Sequence, residues 1–182
     1  MKFKDFPFLK TERLTLRRLK ESDWENISYL RSDKIINQFI KRPNADTKEK
    51  AIDFIKKINL KINRSQIIYW SISSGNDQKM IGSICLWNFS KDKKTAEIGY
   101  DLNPKYQKIG IMNESMNKVL NFGFQILNLE KIEAFTHKKN ESSISLLIKN
   151  NFRVNENKID QNNLENIIFE INRPVIKNSY RK

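Results

Sequence analysis

The segment from Ala96 to Glu114, AEIGYDLNPKYQKIGIMNE, constrains the fold more than any other part of the chain. It begins with a predicted strand, Ala96 to Leu102, and Asn103-Pro104 then imposes a turn. A short loop containing Gly110 leads into an amphipathic helix predicted from Ile111 to Leu127. Backbone N–H groups of such a loop and of the first helical turn can bind an anion, because the helix dipole favours negative charge there. The segment therefore predicts a binding loop for a diphosphate.

The other periodic segments predict a sheet flanked by helices. Strands are expected at Arg13 to Leu19, Ile67 to Ser73, Met80 to Phe89, Ala96 to Leu102, Lys131 to Thr136, Phe152 to Val154 and Leu164 to Asn172. Three more helices are expected to begin at Ser22 or Asp23, at Asp46 or Thr47, and just after Asn140. Hairpins make the first part of the sheet antiparallel, whereas the helix between the fourth and fifth strands makes a crossover. The predicted class is α/β (α+β), a mixed and mostly antiparallel sheet of about seven strands with about four helices.

Length and composition set broad limits. With 182 residues, we expect one domain spanning 1–182, with a core at about 12–172 and a basic tail at 173–182. The chain lacks an apolar run of about 18 residues and an N-terminal signal peptide, so we expect a cytoplasmic protein without membrane contact. Cys85 is the single cysteine and His137 the single histidine. So few ligands of these types predict neither a disulfide nor a metal site.

Charge is the main compositional departure, with 34 basic and 21 acidic residues and a formal net charge of +13. A basic surface attracts RNA, a ribosome or another polyanion, and it steers a phosphate-rich ligand into a cleft. Solvated lysines on the outer faces of the helices account for the same excess. Since no recognised nucleic-acid motif accompanies the charge, both interpretations stay open.

A second motif, Asn140 to Phe152, combines Asn-x-x-Ser with an apolar helix and a closing Asn-Phe. Together with AEIGY, with Pro-x-Tyr-Gln-x-x-Gly-x-Met-x-Glu from Pro104 and with the opening LKTERLTLR from Leu9, it resembles the GNAT superfamily of N-acetyltransferases. The similarity is to the RimJ/RimL-like branch, which acetylates the N-termini of ribosomal proteins. It covers nearly the whole chain and implies a GNAT fold, with the sheet splayed between the fourth and fifth predicted strands.

The resemblance also implies that acetyl-CoA is the acetyl donor. Its diphosphate would bind the backbone N–H groups of Lys108 to Met112, in a loop shaped by Gln107, and its pantetheine arm would lie against Ile98 to Leu102. The residues so assigned to coenzyme A are Ile98, Gly99, Tyr100, Gln107, Lys108, Ile109, Gly110, Ile111, Met112 and Asn140. Lys108 departs from the glycine common in the family, and Asn150-Asn151 replaces a glycine at the end of the second motif.

Two catalytic residues are expected by the same resemblance. Glu97, on the strand face opposite Ala96 and Ile98, would remove a proton from the acceptor amine, or else orient the substrate or pair with a lysine. Ser143 would hydrogen-bond the departing thiolate, because Leu147 stands where many relatives have a tyrosine. Secondary candidates for that role are Tyr100, expected in the core, and Tyr106, while His137 is expected to be a solvated loop residue.

Two functions remain in competition at this point. The first is an acetyl-CoA-dependent N-acetyltransferase in which a primary amine, from a protein N-terminus or a small molecule, attacks the donor directly in a ternary complex. The second is a non-catalytic, GNAT-like binding module that uses its basic surface on RNA or a ribosome. Either a monomer or a homodimer is compatible with the sequence.

Overall fold

A computed structural model describes residues 5–75 and 78–174. Its strands are β1 Leu9–Lys10, β2 Leu14–Arg18, β3 Ile68–Ser74, β4 Met80–Trp87, β5 Thr95–Leu102, β6 Lys131–His137, β7 Arg153–Val154 and β8 Asn166–Asn172. They form one eight-stranded sheet in the order β1-β2-β3-β4-β5-β6-β8-β7. Every neighbouring pair is antiparallel except β5 and β6, which run parallel. The predicted mixed, mostly antiparallel sheet is confirmed, with the two-residue β1 as an addition.

Four α-helices cover the sheet in the described part of the chain: α1 Trp24–Ser32, α2 Lys48–Asn63, α3 Ile111–Asn121 and α4 Glu141–Lys149. Helices α1 and α2 pack on one face, in a core cluster that includes Tyr69, and we call this the acceptor face. Buried residues of α3 and α4 pack with Trp70 and Leu86 in a second cluster, on what we call the donor face. Because side chains alternate along a strand, neighbouring residues of β3 serve opposite cores.

Two helix starts test the predicted caps. Thr47 caps α2 by accepting a hydrogen bond from Lys50 N at 3.3 Å, which confirms one of the two alternatives. Asp23 is the N-cap residue of α1, which agrees with one of the two predicted positions, but its side chain makes no capping hydrogen bond because its carboxylate binds Arg17 at 2.7 Å. Both members of that ion pair are buried, and a buried guanidinium requires a counter-charge more strongly than a helix requires its cap.

The helix predicted from Ile111 to Leu127 changes character before its end. The α-helical part stops at Asn121, and a π-helical turn follows at Phe122–Ile126. Phe122, Gly123 and Phe124 are all buried there. A Cβ on Gly123 would lie 2.9 Å from Ile132 Cδ1, so this glycine permits close packing against β6.

The sheet opens between β5 and β6. Their register pairs only Thr95 with Lys131, Ala96 with Ile132, and Glu97 with Glu133. Beyond Glu97, β5 continues beside β4 to Leu102, while β6 continues beside β8 to His137. The backbone of Ile98 to Leu102 therefore faces a gap on its β6 side, as the predicted splay requires.

Some local expectations were wrong or fall outside the description. The sequence between α1 and α2 predicts a short helix and a loop, but this part of the chain forms consecutive turns at 34–39. The apolar pattern of α4 predicts a buried Ile148, but this residue is 59% exposed. Asn151 has φ +63°, which confirms that asparagine supplies a left-handed C-cap after α4. The turn predicted at Ser74 to Asp77 and the basic tail lie partly outside the described residues, at 76–77 and 175–182. Over the described residues, no helix is long and apolar enough to cross a bilayer.

Candidate active site

The predicted diphosphate loop joins β5 to α3 at the open edge of the sheet. Asn103 accepts a hydrogen bond from Lys105 N at 3.0 Å and begins a short 3₁₀ turn, and Gln107 Nε2 donates to Leu102 O at 3.3 Å. Gly110, at φ +83°, is the N-cap residue of α3. A left-handed φ is accessible to glycine without strain, and a Cβ there would lie 3.4 Å from Arg13 Nη2. Gln107 thus holds the start of the loop, and Gly110 leaves the backbone accessible at its end.

Lys108 also has a left-handed backbone, with φ +62°. The loop therefore keeps at this position the conformation that a glycine would adopt freely, although a lysine occupies it. The Lys108 side chain is exposed, so its ammonium adds positive charge beside the loop. Lysine in place of the glycine of the family pattern therefore adds backbone strain and positive charge to the loop, but the loop keeps the same turn.

An ion pair braces the loop from the other end of the chain. Arg13 Nη2 lies 2.6 Å from Glu114 Oε2, and Arg13 Nη1 donates to Ile109 O at 3.1 Å. Thr11 Oγ1 donates to the same carboxylate. Partial burial opposes ionisation of Glu114, but the hydrogen bonds from Thr11 and Arg13 hold its pKa below the ordinary value. Although Thr11, Arg13 and Glu114 all belong to the quoted motifs, nothing in the sequence indicates that they meet.

Along the splay, Tyr100 of β5 faces α4. Its hydroxyl lies 2.7 Å from Ser143 Oγ, and burial raises the pKa of Tyr100 to about 12 in spite of that hydrogen bond. Asn140 Oδ1 accepts from Ser143 N at 3.2 Å and so caps α4, which leaves the Asn140 side-chain amide free to donate. Leu147 is fully buried. The expectation of Tyr100 as a core residue is therefore incomplete, because its hydroxyl is paired with a predicted catalytic residue.

The other residues predicted to bind coenzyme A offer it mainly backbone groups and few side chains. Ile98, Ile111 and Met112 are buried in the donor-face core, and Ile109 is 57% exposed. Gly99 points to the acceptor face, where a Cβ would lie 3.3 Å from Cys85 Sγ. The structure thus brings the loop, the open edge of β5 and the start of α4 to one end of the sheet.

Glu97 lies on the acceptor face, where the two strands part. It is half-buried, and its carboxylate accepts a hydrogen bond from Asn88 Nδ2. Burial raises the pKa of Glu97, partly offset by the Asn88 hydrogen bond, and the negative charges of Glu133 and Asp160 raise it further. Among the described residues, no lysine or arginine nitrogen lies within 4.0 Å of the Glu97 carboxylate. This part of the structure therefore does not contain the lysine ion pair that was the alternative for Glu97.

A cavity of about 440 Å³ opens beside Glu97. Its lining is rich in polar and charged residues: Asn88, Phe89, Ser90, Lys91, Thr95, Ala96, Glu97, Lys131, Glu133 and Lys158. Lys158 Nζ pairs with Glu133 at 2.6 Å, and Lys131 Nζ pairs with Glu170 at 2.8 Å. Because these lysines already have carboxylate partners, Glu97 keeps a basic oxygen available to a ligand.

The chain between α1 and α2 lies over the acceptor face. Arg42 Nη1 binds Asp101 Oδ2 of β5 at 2.8 Å, and Phe39 stacks on His137 with ring centroids 5.1 Å apart. Asp101 is buried and also accepts a hydrogen bond from Ser83 at 2.5 Å. His137 is therefore not a solvated loop residue as expected, since it closes an aromatic contact across this face.

Comparison with known proteins decides the family. The acetyltransferase (GNAT) domain family matches residues 13–153. This chain belongs to the GNAT acetyltransferase family. It is 31% identical to the uncharacterized N-acetyltransferase YoaA of Bacillus subtilis, over 81% of this chain and 84% of that protein. A GNAT domain and relatives named as N-acetyltransferases make the protein an acetyltransferase enzyme.

Solved structures agree on the GNAT fold. A GNAT-family acetyltransferase from Bacillus anthracis superposes with a TM-score of 0.77 at 24% identity, covering 92% of this chain and 99% of that one. RimL, a ribosomal L7/L12 alpha-N-protein acetyltransferase in complex with coenzyme A, superposes with a TM-score of 0.78 at 17% identity, covering 91% and 98%. At these identities the likeness establishes the GNAT architecture.

Proposed function

We propose that this GNAT protein transfers the acetyl group of acetyl-CoA to a primary amine, which attacks the thioester directly while both substrates are bound. The observation that carries the proposal is that the candidate catalytic residues lie on opposite faces of the sheet, at the opening between β5 and β6. Tyr100 and Ser143 lie paired on the donor face, whereas Glu97, with its raised pKa, lies on the acceptor face. A thioester held between them would have a proton acceptor on one side and hydroxyl donors on the other.

The described residues fit acetyl-CoA, which supplies an activated acetyl thioester. The open backbone at Gly110 and the first-turn N–H groups of α3 suit a diphosphate, and the exposed Lys108 ammonium adds attraction. The backbone of β5 beyond Glu97, where its pairing with β6 ends, suits the amide groups of pantetheine, which would add to β5 like a short strand. In this proposal the Asn140 side-chain amide donates to the same arm or to the acceptor.

Glu97 acts as the general base in this proposal. A primary amine must lose a proton as it attacks, and a carboxylate whose pKa is raised toward neutrality accepts a proton more readily than an ordinary glutamate. The transfer runs directly or through one water. Asn88 orients the carboxylate without neutralising it, because a side-chain amide carries no charge.

The leaving thiolate is stabilised by the hydroxyl pair of Tyr100 and Ser143. A thiol has a pKa of about 8.5, whereas burial raises the pKa of Tyr100 to about 12, so the phenol keeps its proton and donates a hydrogen bond. This pair takes over the function expected of a tyrosine at position 147, which Leu147 cannot perform. The thiolate then acquires its proton from solvent.

The acceptor is proposed to be a protein N-terminus, by resemblance to the RimJ/RimL-like branch, or a small-molecule amine that fits the cavity of about 440 Å³. The non-catalytic alternative gains no support from the comparisons, in which the family and the relatives cited are acetyltransferases. A ribosome contact through the basic surface is proposed only together with a protein N-terminus as the acceptor.

Calorimetric titration with acetyl-CoA, followed by thiol-release assays on peptides and small amines, tests the proposal. Glu97→Gln should bind acetyl-CoA like the wild type and lose about 10²-fold or more in turnover. The matched control is Glu165→Gln, an exposed glutamate paired with Lys138. An absence of saturable acetyl-CoA binding, or a Glu97→Gln variant as active as the control, would overturn the proposal.

A further inference from the structure

Trp87 is an exposed tryptophan at the end of an otherwise largely buried strand. It is the last residue of β4, and 45% of it is exposed, whereas Leu86 beside it is fully buried. Tryptophan contributes much apolar area when it packs, so a half-exposed indole beside a candidate active site calls for a function. In the core clusters formed by the described residues, Trp87 is not a member.

The indole lies on the acceptor face, next to the proposed base. Trp87 and Glu97 are register partners in the antiparallel pair of β4 and β5. The Trp87 Nε1 atom lies 3.7 Å from the position that a Cβ on Gly99 would occupy, so the ring leans diagonally across the strand. Side chains of cross-strand partners stand about 5 Å apart. Gly99, the next residue of β5 on this face, has no side chain, and the indole lies over it.

The indole N–H has no hydrogen-bond acceptor among residues 5–75 and 78–174. The indole of Trp70 on β3 differs, because its Nε1 donates a hydrogen bond to Pro7 O at 2.6 Å. An N–H donor and a carboxylate thus project from register partners on the same face of the sheet. A ligand that binds both needs a donor amine and, a short distance away, an acceptor oxygen.

We infer that Trp87 is an acceptor-binding residue, and that the acceptor is a primary amine with an oxygen on the carbon next to the amine-bearing carbon. The amine would contact Glu97, and the hydroxyl or carbonyl oxygen would accept the hydrogen bond of Trp87 Nε1. This inference rests on the proposed acetyl transfer at Glu97 and narrows its substrate class. Peptide N-termini, amino alcohols and amino sugars carry such an oxygen, whereas alkylamines, polyamines and lysine side chains do not.

A different contribution from Trp87 would give a different selectivity. An indole that attracts the ammonium through its ring face would favour every amine alike, and phenylalanine would replace it with modest loss. A hydrogen bond from Nε1 favours only the oxygenated amine, and phenylalanine abolishes it. The two possibilities therefore separate in one comparison.

Ethanolamine and propylamine provide that comparison, because they have the same number of heavy atoms and differ by one oxygen. With rates corrected for the fraction of free amine, the wild type should acetylate ethanolamine about tenfold more efficiently in kcat/KM, as expected for one hydrogen bond. In Trp87→Phe the ratio should fall to about two or less, because ethanolamine turnover falls more than propylamine turnover. Trp24→Phe, on α1 and away from β5, is the control and should keep the wild-type ratio.

Three results would overturn the inference. An unchanged ratio in Trp87→Phe, an equal loss with both amines, or a wild type that does not prefer ethanolamine would each remove Trp87 from acceptor recognition while leaving acetyl transfer intact. A wild-type protein that binds acetyl-CoA but releases no thiol with these amines or with any peptide or amine of the wider panel would overturn the acetyl-transfer step itself, and this inference with it.

Discussion

The hydroxyl of Tyr100 lies 2.7 Å from Ser143 Oγ and joins β5 to α4 across the gap where β5 and β6 separate. The two residues stand 43 positions apart in the chain, and each was a separate candidate for stabilising the thiolate. Their contact makes them one hydrogen-bonding unit. Such a unit has a recognisable kinetic signature, because removing either member disables the other.

Tyr100→Phe and Ser143→Ala are each expected to lower kcat about tenfold, with a smaller change in acetyl-CoA affinity. The double variant should lose little more than either single variant, since residues that share a hydrogen bond give non-additive effects. Tyr29→Phe is the control, an exposed tyrosine of α1 that lacks this contact. Steady-state thiol release and calorimetry measure both quantities. Additive losses would show that the two hydroxyls act separately.

Sequence periodicity predicted the elements that carry this site, because apolar residues recur wherever a strand or helix covers a core. It did not predict the contacts between elements. Arg13 and Glu114 are separated by 101 positions and Tyr100 and Ser143 by 43, and no local pattern records that they meet. The two-residue β1 was missed because its pairing with β2, and not its own composition, defines it.

The sequence also does not predict which side chains of a strand face remain exposed to solvent. Alternation along β4 placed Trp87 on the face of Cys85, but a strand face is buried only where another element covers it. Helices α1 and α2 cover that face further along the sheet, so Trp87 remains half-exposed. Residues that line a cleft share the alternation pattern of the core and become distinguishable only once the covering elements are placed.

The acidic limb of the pH profile should report Glu97. Its carboxyl must be ionised to accept a proton, so kcat/KM should fall as pH drops through its pKa, which burial raises above the ordinary glutamate value. The measurement is kcat/KM, corrected for the free-amine fraction, from about pH 3.5 to about pH 9, a range that begins below the ordinary glutamate pKa of about 4.3. A limb at or below the ordinary glutamate value would contradict the assignment.

The same raised pKa has a consequence for stability. The folded state binds the Glu97 proton more tightly than the unfolded state, so ionisation of this group costs stability as pH rises through the unfolded and then the folded pKa. Glu97→Gln should therefore gain stability relative to the wild type with rising pH, and the gain should vanish at acidic pH. Urea unfolding at pH 4 and pH 7 compares the two, with Glu165→Gln as control. A difference that grows toward acidic pH would refute this sign.

Lys108→Gly should stabilise the fold by about 0.5 kcal/mol, because relief of a left-handed backbone, roughly 1–2 kcal/mol, exceeds the entropy cost of glycine of roughly 0.5–1 kcal/mol. Lys105→Gly is the matched control in the same loop. Lys105 lies in the 3₁₀ turn Pro104–Tyr106, where the backbone is not left-handed, so glycine there should destabilise. Thermal unfolding of both variants provides the test, and a shift of the same sign in both would exclude backbone strain at Lys108.

Breaking the Arg42–Asp101 ion pair should affect both the fold and the acceptor side of the reaction. Asp101 is buried and binds Arg42 at 2.8 Å, so Arg42→Ala leaves a buried carboxylate without its counter-charge and should cost about 3–5 kcal/mol. Arg42→Lys retains the charge and should cost less. Because Arg42 ties the chain between α1 and α2 to β5, Arg42→Lys should raise KM for the amine more than the Kd for acetyl-CoA. Equal effects on donor and acceptor would indicate that the segment between α1 and α2 does not contribute to acceptor binding.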